Sequence, residues 1–126
     1  MTQMIMAFAS LSGLLAVTLG AFGAHGLKGK LSAELFSAFQ TAVQYHFYHT
    51  LALLVVGLLL LRFPAERWLL GSGACFVLGL LLFCGSLYAL ALGGPRWLGP
   101  ITPLGGLCFM LGWGALFTAV IRLPWE

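Results

Sequence analysis

Three histidines hold most of the chemistry this chain could perform. His46 and His49 stand three residues apart, so on a helix their side chains share a face. His25 closes the preceding apolar segment at a similar depth. Imidazoles of this kind bind zinc, copper or haem iron, and they also relay protons or hydrogen-bond a quinone. Tyr45, Ser86, Tyr88 and Thr102 are the other polar side chains able to join such a site. The supporting signals are thin. There is no HExxH, and the only carboxylate near the histidines is Glu34. Histidine and tyrosine also favour the wet boundary of a membrane, so anchoring at that boundary is the plain structural use of the same residues. No metal or cofactor is assigned, and the three histidines are the side chains that would hold one.

Nucleophilic catalysis has less to work with. Ser86 lies in FCGSLY (residues 83–88), which is not GxSxG, and the chain contains no aspartate. A nucleophile needs a base and a group to orient it. Aspartyl proteolysis and Asp-based triads are excluded, glycine-rich phosphate loops are absent, and no enzyme is expected. Cys75, Cys84 and Cys108 form no CxxC. Cys75 and Cys84 are nine residues apart on one helix, about 13 Å along its axis, too far to bridge. Each reads as a small buried hydrophobe. Cys84 and Cys108 at similar depth leave only a thin copper-site alternative.

The elements that must position these residues are set by composition. Of 126 residues, 61% are hydrophobic and 7% charged, with mean hydropathy +1.04. Soluble domains carry about 25% charge. The formal net charge of +3 is spread between the apolar runs rather than clustered on one face, which excludes a nucleic-acid surface. About 20 apolar residues span a bilayer. Four segments qualify, at about 4–24, 43–61, 68–92 and 101–121. The first lacks the basic start of a leader peptide and reads as a span. The turn RFPAER (62–67) and the Gly/Pro-rich 93–100 connect the later spans. Between spans one and two, Leu31, Leu35, Phe36, Phe39, Ala42 and Val43 recur at helical spacing behind a capping Ser32. This predicts a short amphipathic interfacial helix over about 32–42, running into span two. The alternative is one continuous helix of about 45 Å from Ser32 to Leu61.

Helices associate in lipid through small residues. Ser12, Ala16, Gly20 and Ala24 form such a ladder on span one. Gly71, Cys75 and Gly79, then Gly85, Ala89 and Gly93, do so on span three, and Ala115 with Ala119 on span four. These ladders serve packing within the bundle or contact with other subunits. Chain parity places His25, Tyr45, His46, His49, Ser86, Tyr88 and Thr102 towards one membrane face, so the groups capable of chemistry are expected to converge there. Basic residues divide three against three (Arg62, Arg67 and Arg122 against Lys28, Lys30 and Arg96), which leaves orientation to the free amino terminus and places both termini in the cytoplasm.

The motifs GAFGAHG (20–26), YHFYHTL (45–51), FCGSLY (83–88) and TPLGG (102–106), with Gly112-Trp113, resemble the family called domain of unknown function 423. It is also known as uncharacterised protein family 0382, and its eukaryotic relatives include transmembrane protein 256. The resemblance runs in order from Gly13 to about Arg122. It implies a small integral membrane protein, placed in the inner membrane in bacteria, with no defined activity. It matches His25, Tyr45, His49, Ser86, Tyr88, Thr102, Pro103 and Trp113. It puts glutamine where this chain has His46, which favours His25 with His49 over the HxxH pair.

The expected protein is all-α: a four-helix membrane bundle with an interfacial helix, in one domain. Its expected role is structural or accessory within a membrane complex, with the lipid bilayer and other subunits or further copies of itself as partners. The alternatives are a small oligomeric transporter or channel, and a metal, haem or quinone protein using His25 and His49.

Overall fold

In the computed structural model, which describes residues 1–126, the chain is four antiparallel helices with short connections. Helix α1 runs Thr2–Leu27 and α2 Ala33–Arg62. Helix α3 runs Arg67–Ala91, and α4 runs Ile101–Arg122 after a 3-10 turn at Arg96–Leu98. All four are long and apolar enough to cross a bilayer. The chain is therefore an all-helical, four-span membrane protein. The logic is the usual one for hydrocarbon: every backbone amide must find its partner inside its own segment. Glycine at positive φ serves the reversals, at Gly29 (φ +83°) and Gly93 (φ +97°).

The expected interfacial helix is not a separate element. Residues 33–42 are the first turns of α2, which continues unbroken for 30 residues, about 45 Å. No glycine or proline interrupts the run before Gly57. Ser32 caps the helix, its Oγ accepting from the Leu35 N–H at 3.2 Å. The apolar stripe of this segment packs on protein rather than on lipid. Phe39 is buried with Leu27 and Ala91, against the end of α1 and the end of α3. Gly23 permits this contact, since a Cβ there would stand 2.6 Å from the Phe39 ring.

The span-one ladder packs as expected against α2 through Ser12, Ala16 and Gly20. It then passes to Gly23, because 3.6 residues per turn carry the seam off Ala24, which is exposed. Helix α1 leans on α2 and scarcely touches the second hairpin. The second hairpin is sealed differently. Its seam is Leu69, Ser72, Phe76 and Gly79 against Gly105, Phe109, Gly112, Leu116 and Ala119. The Ser72 hydroxyl donates to the Gly112 carbonyl at 2.8 Å. Gly71 and Gly85 are exposed, with nothing within 4 Å of a Cβ built on either. Of the ladder that Gly71 starts, only Cys75 and Gly79 meet α4, and Gly85 itself seals nothing.

Two π-helical turns interrupt the regular ladder, Gly23–Leu27 ending α1 and Leu80–Cys84 within α3. The second brings the backbone of Phe83 against Gly105, where a Cβ would overlap the Phe83 amide nitrogen. Close backbone approach replaces the hydrophobic drive that lipid removes. Gly105→Ala is accordingly expected to destabilise by about 1–3 kcal/mol, because the clash is with backbone. Gly114→Ala, whose Cβ meets nothing within 4 Å, is expected to leave stability unchanged or slightly raised. Thermal unfolding of the two variants in detergent checks the contrast.

Candidate functional site

Helix α2 carries its polar side chains at mid-length. From its first residue to His46 is about 20 Å, and from His46 to its last is about 24 Å. His46, His49 and Thr50 are all buried. The histidines thus lie inside the span, and anchoring at the wet boundary is not their role. Although three residues apart on adjoining parts of one face, they bond to different neighbours.

His46 faces α1 and the end of α3. Its Nε2 is 2.9 Å from Ser12 Oγ, and its Nδ1 is 3.0 Å from the Tyr88 hydroxyl. Ser12 Oγ is in turn 2.6 Å from Thr50 Oγ1. These four side chains form one hydrogen-bonded chain, Tyr88–His46–Ser12–Thr50. Hydroxyls both donate and accept, so neither tautomer of His46 is imposed.

His49 faces α4. Its Nδ1–H donates to the Tyr45 carbonyl at 2.8 Å, and its Nε2 accepts from the Trp113 indole N–H at 3.1 Å. A carbonyl can only accept and an indole N–H can only donate, so this imidazole is held neutral in one tautomer. Its ring stacks on Phe109 with centroids 3.6 Å apart, and Tyr45 stacks on Phe83 at 4.7 Å. A third, smaller bridge joins α3 to α4. Ser86 Oγ–H donates to the Phe83 carbonyl at 3.0 Å, and the Thr102 hydroxyl pairs with Ser86 Oγ.

The candidate residues therefore fall into separate groups rather than one site. Tyr88 joins His46, Tyr45 and Trp113 join His49, and Ser86 joins Thr102. His25 joins none of them. It is exposed on the last turn of α1, 13 residues beyond Ser12. Because Ser12 is level with His46 and Thr50, His25 lies about 20 Å along α1 from the depth of His49. A metal or haem held between His25 and His49 does not fit this geometry, and both ring nitrogens of His49 are already engaged. No three His, Cys, Asp or Glu side chains converge anywhere in the bundle. Cys84 is buried at the α1–α3 groove, while Cys75 packs beside Gly112 on α4.

Residues 19–106 match the family model described as a protein of unknown function, DUF423. The chain belongs to this family. It is 42% identical over 113 residues to the UPF0382 membrane protein YwdK of Bacillus subtilis, covering 90% of this chain and 92% of that one. It is 38% identical over 122 residues to the UPF0382 inner membrane protein YgdD of Escherichia coli, covering 97% and 92%. No solved structure matches the chain. The DUF423 resemblance read from the motifs is thus correct, and the relatives are membrane or inner-membrane proteins by name.

Within this DUF423 chain, His46, the residue the motif resemblance set aside, stands inside a four-residue hydrogen-bonded chain. Neither Ser12, its direct partner, nor Thr50, which bonds Ser12, is among the candidate site residues. Thr50 lies one helical turn after His46, a signal that was available; Ser12 reads in sequence only as a small packing residue. Glutamine at position 46 retains both a donor and an acceptor, so His46→Gln should keep most of the stability. His46→Leu strands Ser12 and Tyr88 and should cost about 1–3 kcal/mol. In a background without native cysteines, a pair at positions 12 and 50 should cross-link, and a pair at 25 and 49 should not. Unfolding curves and disulfide trapping in membranes measure these outcomes.

Proposed function

We propose that this chain is a structural or accessory subunit of a larger inner-membrane complex and performs no reaction of its own. The observation that carries the reading is an open groove of about 950 Å3 between α3 and α4. Gly71, Cys75, Leu111 and Ala115 line it, and Glu66, Arg67 and Arg122 stand at its end. Gly71 is the part of the span-three ladder that seals nothing within the bundle. Small residues on an open, lipid-facing groove suit the close approach of another transmembrane helix. The charged groups at its end suit a polar partner at the membrane surface. In this reading both termini face the cytoplasm.

The interior favours this role over conduction. A pore needs polar groups along its length. Here the polar side chains are held in isolated clusters, with apolar core (Leu53, Val56, Leu60, Leu69) between them and the terminal face.

The test is a photoreactive amino acid placed at position 71 in cells and, as a control, at the equally lipid-facing Leu14. Position 71 is expected to capture one discrete membrane protein, with Leu14 capturing none. Ala115→Leu is expected to reduce that capture at least tenfold while the chain still inserts and folds. Capture of lipid alone, or only of further copies of this chain, refutes the accessory role.

A further inference from the structure

The chain Tyr88–His46–Ser12–Thr50 holds four polar hydrogens: one on the phenol, one on the neutral imidazole and one on each aliphatic hydroxyl. It contains three hydrogen bonds. Whichever way the bonds point, one hydrogen has no acceptor within the chain. Nor does the rest of the protein supply one. Ser10, Thr18 and Thr118 each donate back to the carbonyl four residues earlier, but Ser12, Thr50 and Tyr88 make no such bond. The surplus hydrogen must rest on Thr50, Ser12 or Tyr88. In hydrocarbon an unpaired hydroxyl is costly.

Two of those three residues line a groove. Helix α1 stands off from α3, leaving a hollow of about 240 Å3 that opens sideways to the bilayer. Its walls are apolar, with Phe8, Leu15, Leu80 and Leu81 among them, and its polar floor is Ser12, His46 and Tyr88. Thr50 is not part of it. When the bonds run from Thr50 towards Tyr88, the free donor is the phenol at the groove.

We propose that this groove binds a neutral, membrane-dissolved carbonyl compound of the isoprenoid quinone class, whose ring oxygen accepts the surplus hydrogen. Depth selects this class. Ser12 is the eleventh residue of α1 with 15 more to follow, so the floor lies roughly 15 Å or more from either end of the span. The ester carbonyls of phospholipids stay near the headgroups, and a fatty acid would have to bury its carboxyl. A quinone carries its acceptors into the hydrocarbon uncharged. Its ring would occupy the hollow, and its tail would leave between α1 and α3. The inference concerns binding alone and does not depend on the accessory role.

The test is saturable binding of tritiated decyl-ubiquinone to the purified full chain in phosphatidylcholine nanodiscs, with empty nanodiscs subtracted. One displaceable molecule per chain is expected. Tyr88→Phe should weaken binding roughly tenfold, as loss of one hydrogen bond would. Gly85→Leu should abolish it. Gly85 lines the groove, and a Cβ there meets nothing within 4 Å, so the variant fills the site without disturbing the core. Should that variant fail to fold, Leu15→Trp fills the same groove from α1. Gly114→Leu, on α4 away from the groove, should bind normally. Absence of saturable binding, equal binding by the groove-filling variant, or displacement by palmitate but not by unlabelled quinone would overturn the proposal.

Discussion

A polar side chain inside a bilayer has no water to fall back on, and this bundle is organised around that constraint at one level of α2. His46 and His49 are each buried and each bonded through both ring nitrogens. Although they lie only three residues apart, the bonds they make reach different partners. His46 ties α2 to α1 and to the end of α3. His49, through Trp113 and the face of Phe109, ties it to α4. Apolar surface gives lipid-embedded helices no reason to choose one rotation over another. Directional bonds at mid-span do, and they fix the rotation of α2 relative to three neighbours.

The two histidines also differ in kind. The partners of His49 are fixed in their roles, one only accepting and one only donating, so its proton has one place to be. The partners of His46 are hydroxyls, and the chain they form can run in either direction. One cluster is a rivet. The other can leave its free donor on Thr50, on Ser12 or on Tyr88, according to how its bonds point. Only the second opens onto a hollow. Structure alone would make both clusters look like packing, yet the adjustable cluster sits at the lipid-accessible groove and the fixed one supports the α2–α4 contact.

Much of the fold was legible because hydrocarbon leaves few solutions. Four apolar runs with short polar turns allow little besides four antiparallel helices, and the motifs named the DUF423 family correctly. The site was less legible. Parity along the chain gives the half of the membrane a residue occupies, but neither its depth nor its azimuth. His25, His46 and Tyr88 therefore looked alike, although His25 lies a full half-span away from the others. Residues 33–42 are the first turns of one continuous α2, and His46 and His49 bond to protein partners rather than to a wet boundary. Ladders of small residues were visible but not their direction. Gly112 reads in sequence only as part of a motif, yet its carbonyl accepts the Ser72 bond in the hairpin seam. Gly71 looked like part of a seam and faces outward. Rotation about each helix axis is set by partners, which no single helix records.

The π turn at Leu80–Cys84 separates the two halves of α3 by one surplus residue. Before it, Leu69, Ser72 and Phe76 address the α4 seam; after it, Ser86 and Tyr88 address Thr102 and His46. A deletion of a single residue there would give a more regular helix and a worse protein. Everything downstream would rotate by about 100°, turning both hydroxyls away from their partners. Span three is therefore tolerant of substitution along its lipid face but intolerant of any change in its residue count, a constraint on how its length can drift.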